Sequence, residues 1–142
     1  MAGTYVLDNS VTMTWLFADE KRQDCDALQQ DLAGASKAIV PDHWAVEVAN
    51  AMVAGERRKR IVSSSLQPFV DMIESLQIEN DGASRRKVFA ETLALARQHG
   101  LTAYDAAYLE LALRLGAPLA SLDSTLRKVA QGLGVKLFPE QM

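Results

Sequence analysis

The feature that most constrains this fold is the alternation of short β-rich runs with longer helical stretches. Thr4-Tyr5-Val6-Leu7, Ala38-Ile39-Val40-Pro41, Leu119-Ala120-Ser121-Leu122 and Val135-Lys136-Leu137-Phe138 read as strands, and Gln77-Ile78-Glu79 as a shorter one. Between them lie helical patterns: a helical turn at 11–17, a helix from about Glu20 to Leu32, and one capped by Asp42 and running to about Arg58. A further helix starts at Ser63 or Ser64, the next runs from Ser84 to His99 with Phe89, Leu93 and Ala96 inward, and two more follow Thr102 and Asp123. Parallel strands must be joined by crossovers, usually helices. The pattern therefore predicts an α/β fold, a parallel sheet with helices on both faces. With no repeat or linker, residues 1–142 are read as one domain.

Within that frame, acids stand in unusual places. The stretch Leu101 to Glu110 opens a helix that is apolar almost all the way round, yet it carries Asp105 in its first turn. Thr102 is placed as the N-cap. Glu110 and Arg114, four apart, are expected to mark the solvent stripe. Asp105 lies roughly 140° around the helix from Glu110, so it is expected to face inward. Glu47 repeats the anomaly, sharing a helix face with Trp44, Val48 and Ala51. Asp8 and Asp123 each follow a strand, where open parallel sheets build their sites. Four acids brought together would raise one another's pKa unless a cation holds them. Oxygen-only ligands favour Mg²⁺ or Mn²⁺ over zinc, and such an ion suits phosphodiester hydrolysis.

Composition narrows the classes. At 49% hydrophobic and 23% charged residues the chain reads as an ordinary soluble globular protein. No signal peptide and no charge-free transmembrane stretch is evident, and the single cysteine, Cys25, fits a reducing cytoplasm. A net charge of −3 argues against a protein that coats nucleic acid. The cations are grouped, however, at Arg57-Arg58-Lys59-Arg60, Arg85-Arg86-Lys87 and Arg127-Lys128, where they could track a phosphate backbone locally. His43 shares a helix face with Glu47, but as a lone histidine near a helix start it reads as a surface or capping residue.

Taken in order, Tyr5-Val6-Leu7-Asp8-Asn9-Ser10-Val11, Glu47 with Asn50, Leu101-Thr102-Ala103-Tyr104-Asp105-Ala106-Ala107-Tyr108-Leu109, and Ser121-Leu122-Asp123 with Leu126 resemble a PIN domain. The likeness is strongest to the VapC ribonuclease toxins of bacterial toxin–antitoxin modules. It implies a three-layer α/β/α fold around a mostly parallel five-stranded sheet. It also implies a Mg²⁺- or Mn²⁺-dependent endoribonuclease that is held by a VapB-like antitoxin. The helices containing Leu16, Phe17, Leu66, Phe69 and Ile73 carry enough apolar surface to serve a homodimer or an antitoxin groove. By motif match, Asp8, Glu47, Asp105 and Asp123 are the acidic site, with Asp8, Asp105 and Asp123 on the metal and Glu47 on the attacking water. Ser10, Asn50, Thr102 and Ser121 match supporting positions, and Arg57, Arg58, Lys59 and Arg60 are the expected RNA contacts. Lys59 stands where the family often has glycine. The alternatives are a PIN fold that binds RNA or protein without cutting, or a phospho-receiver-like domain. A receiver would need an acid pair after the first strand, and Asp8 is followed by Asn9.

Overall fold

The computed structural model describes residues 3–142. Its strands are β1 (Thr4–Leu7), β2 (Lys37–Val40), β3 (Ile78–Asn80), β4 (Leu119–Ala120) and β5 (Leu137–Phe138), paired in parallel in the order β3-β2-β1-β4-β5. The chain runs outward from β1 to β3 on one side, then returns to lay β4 and β5 on the other. The sheet order therefore reverses beside β1, and the crevice between the ends of β1 and β4 is the switch point where such sheets place their sites. The helices are α1 (Asn9–Leu16), α2 (Gln23–Leu32), α3 (Trp44–Arg57), α4 (Leu66–Glu74), α5 (Arg85–Lys87), α6 (Leu93–His99), α7 (Ala103–Leu115) and α8 (Ser124–Gly132). This is the expected α/β/α layering.

β1 and β4 are buried on both faces. Val6, Leu7, Leu119 and Ala120 are solvent-free, as are Tyr108 and Leu109 of α7. Continuous apolar runs are what a parallel sheet covered by helices requires.

Several local readings change. Between α5 and α6 the chain forms a π turn, Val88–Thr92. The extra residue in that turn rotates the inward face. Thr92 and Ala96 are buried, while Phe89 and Leu93, expected inside, are exposed. Glu110, expected on the solvent stripe, is buried and paired with Arg114, which also grips Asp81. Arg127 likewise leaves the surface and donates to the carbonyls of Ser121 and Glu140. Asp42 does not cap α3; its carboxylate accepts the amide of Gly82 beyond β3. Cys25 is buried and its thiol is pushed up to about 11, chiefly by desolvation, which fits an inert core position.

One close approach fixes how α3 meets α1. A side chain at Gly55 would place its Cβ 2.7 Å from the Phe17 ring. The Arg60 guanidinium covers that ring at 3.7 Å from its centroid, and it is held there by Asp19 and Glu20. The ring therefore has nowhere to go. Gly55→Ala should lower stability by about 1–3 kcal/mol in urea unfolding, despite the usual gain of alanine over glycine in a helix. A more stable variant would contradict this packing.

Candidate active site

Asp8 is the hub. It occupies the N-cap position of α1, but its carboxylate makes no cap bond there. Instead Oδ2 accepts hydroxyl hydrogens from Ser10 and Ser121, each at 2.7 Å. Both serines also accept backbone amides: Ser10 from Leu122 at 2.8 Å and Ser121 from Asp123 at 3.1 Å. One carboxylate thus joins the end of β1 to the turn after β4. Asp8 is only 6% exposed, and burial raises its pKa against the lowering effect of the two serines.

The other acids arrive on separate elements. The Thr102 side chain accepts the amide of Asp105 at 3.1 Å and so caps α7 as expected. Asp123 caps α8 by accepting from Leu126. Glu47 comes from the first turn of α3, and its Oε1 receives the hydroxyl of Tyr108 at 2.6 Å. The loop before α7 brings Asp105 back to the same edge of the sheet. Its carboxyl is pushed up to about 6, first by desolvation and then by the charges of Asp8, Asp123 and Glu47 in turn. All four acids named from the sequence therefore share one electrostatic site.

Among the described residues, no three His, Cys, Asp or Glu side chains stand close enough to form a ready-made metal cage. The fit to a cation rests on the donor set: carboxylate oxygens alone, mutually repelling, at a switch-point crevice. Those are the properties that favour a hard divalent ion over zinc.

Two participants carried no clear signal in the sequence. Tyr108 lies three residues after Asp105 and is fully buried, with its pKa raised by desolvation and by the hydrogen bond to Glu47. An aromatic residue in an apolar helix carries no local sign of such a hydrogen bond. His43 is half-buried rather than a surface residue, and it makes no cap bond. Its Nε2 lies 3.3 Å from Glu47 Oε1 without hydrogen-bond geometry, and its ring meets Tyr104 and Tyr108 edge-on, each with centroids 5.3 Å apart.

Other expected residues lie farther off. Asn50 is exposed on α3 and carries no hydrogen bond to the acids. Arg57, Arg58, Lys59 and Arg60 sit at the far end of α3, roughly 15 Å along the axis from Glu47 at helical rise. Arg60 is engaged by Asp19, Glu20 and Phe17, so it is not a free cation for RNA. Lys59 adopts φ 61°, a backbone shape glycine takes without strain.

Comparisons with known proteins bear on the family and the fold. The PIN domain family model matches residues 5–132. The chain is similar to Ribonuclease VapC3 of Pyrobaculum aerophilum, 30% identical over 115 residues, spanning 78% of this chain and 83% of that protein. Its fold is similar to the crystal structure of PAE2754 from Pyrobaculum aerophilum, with TM-score 0.66 and 21% identity, covering 98% of this chain and 93% of the other. It is also similar to the crystal structure of VapBC2 from Rickettsia felis bound to a DNA fragment from their promoter, with TM-score 0.65 and 14% identity, covering 94% and 96% of the two chains. At these identities the solved structures speak for the fold.

The charge crowding has a stability signature. A carboxyl whose pKa is raised on folding favours the folded state below its unfolded pKa, and that contribution is lost as pH rises through the folded value. For Asp105 the window runs from about 4 to about 6. In chelator, Asp105→Asn should therefore stabilise the protein at pH 7, on the order of 1 kcal/mol once solvent screening of a half-exposed group is allowed for. The gain should fade as pH falls to 4. Thermal melts of both proteins across that range check the sign, and destabilisation at pH 7 would oppose it.

Proposed function

The chain belongs to the PIN domain family, and from that premise we propose that it is a Mg²⁺- or Mn²⁺-dependent endoribonuclease, the VapC-like toxin of a toxin–antitoxin pair. The observation that carries this reading is the coupling of Asp105 to Asp8, Asp123 and Glu47. A relative that bears the name ribonuclease supports the activity.

In this reading Asp8, Asp105 and Asp123 would hold the ion, which supplies a Lewis acid toward the scissile phosphate. Asp8 is already oriented by Ser10 and Ser121, and Thr102 fixes the turn that presents Asp105. Glu47 orients the attacking water and takes its proton. One of its oxygens is engaged by Tyr108, so the side chain is aimed before substrate arrives. Arg57, Arg58 and Lys59 would hold the RNA backbone beyond the site, with Arg60 reserved for the α1–α3 contact.

The antitoxin is proposed to lay an apolar segment between α3 and α4, over Trp44, Val48, Met52, Phe69 and Ile73. The solved complex of VapBC2 supports a partner of that kind. Exposed Val46 and Val53 on α3 give a homodimer apolar surface to bury. Among the described residues no helix is long and apolar enough to cross a membrane.

The test is cleavage of a mixed single-stranded RNA pool with Mg²⁺ or Mn²⁺ and with EDTA. Wild type should cut only with the metal. Asp8→Asn and Asp105→Asn should each lose about a hundredfold or more. Tyr108→Phe, which keeps the ring and removes the donor, should lower kcat about tenfold with KM little changed. Metal-independent cutting, or full activity in either acid variant, defeats the proposal. A wild type that binds RNA without cutting would favour the binding-module alternative.

A further inference from the structure

A second cavity adjoins the acids. It encloses about 320 Å³ between the start of α3, the π turn and α7. His43 and Tyr104 stand on the side toward the acids, Val88 and Thr92 face them from the π turn, and Ala107 is a small residue on the α7 wall. His43 is 3.3 Å from Glu47, and Tyr104 directly precedes Asp105, so the cavity lies one side chain away from the proposed reaction centre. Tyr104 is 62% exposed, large for an aromatic residue, and its ring meets His43 in an edge contact. An open aromatic face beside a nuclease site is a stacking platform in search of a planar ring.

The charges around the cavity select the occupant. Asp81 and Glu110 also line it, but both are bound by Arg114. Asp42 is different. It lies on the lining, exposed, and accepts a single backbone amide, from Gly82. A phosphate would be repelled by these carboxylates. A base edge rich in N–H groups would be attracted, because an ionised carboxylate only accepts. Guanine presents two adjacent donors on its Watson–Crick edge. Uracil flanks its one N–H with two carbonyls, and adenine and cytosine set their amino group beside an acceptor nitrogen.

We propose that this cavity is a nucleobase subsite that receives the base next to the scissile phosphate, stacking it on Tyr104 and favouring guanine through Asp42. The stacking face of the subsite would then come from α7, the same helix that presents Asp105, and its base preference from Asp42 ahead of α3. This rests on the ribonuclease reading, but base uptake can be measured without any metal or cleavage.

The probe is the free nucleoside, guanosine against uridine, titrated into the protein in EDTA while the ring resonances of Tyr104 and His43 are followed by NMR. Guanosine should shift both rings and bind about tenfold more tightly than uridine. Ala107→Leu, which fills the cavity, should abolish the shifts. Asp42→Asn, an exposed substitution that leaves the fold intact, should bring guanosine down to the level of uridine. Rings that do not respond to either nucleoside overturn the subsite, and so does a guanosine response that survives Ala107→Leu in a folded protein. Because cutting is read in a separate assay, a subsite failure in an active ribonuclease and a ribonuclease failure with an intact subsite are distinct results.

Discussion

The structure depends on a buried carboxylate held by two hydroxyls. Asp8 ends β1, and through Ser10 and Ser121 it also fixes the backbone that follows β4. A buried acid costs stability unless its oxygens are satisfied. Here the hydrogen bonds that satisfy it also close the sheet at its switch point. The same contacts that define the fold therefore define the floor of the site, and Asp123 is placed by the amide that Ser121 accepts.

α7 works against α3 in a similar way. Thr102 sets where α7 begins, Asp105 faces the other acids, and Tyr108 one turn later reaches across to Glu47. A single helix thus carries one acid and aims another. On its other side the same helix lines the cavity beside the acids through Tyr104 and Ala107. The spacing of residues on α7 ties the proposed chemistry to the proposed stacking of the base.

The strands, the parallel α/β layout and the four candidate acids were legible in the sequence because their signals are local. β-branched runs ending in Asp, and acids on otherwise apolar helix faces, do not depend on what packs against them. What escaped the sequence depends on partners far along the chain. The π turn shifted the inward face of 88–99 by one residue, which no periodic pattern in Phe89, Leu93 and Ala96 announces. Glu110 looked solvated because its i, i+4 partner is Arg114, yet that arginine, held also by Asp81, lies over a carboxylate that is itself buried. Arg60 looked like an RNA contact, but Phe17 and two acids claim it. Tyr108 gave no local sign of a role, because only the position of Glu47 gives its hydroxyl a partner. Lys59 was legible in part, since the glycine common at that position fits the positive φ found there.

The central claim is that four acids from four elements behave as one charged site. The most direct test is a carbon-detected NMR titration of the Asp105 carboxyl in chelator, in wild type and in Asp8→Asn. Wild-type Asp105 should titrate near 6, and removing the Asp8 charge should bring it down while burial keeps it above the ordinary aspartate value. An Asp105 that titrates near 3.8 in wild type, or that does not respond to Asp8→Asn, would contradict the account.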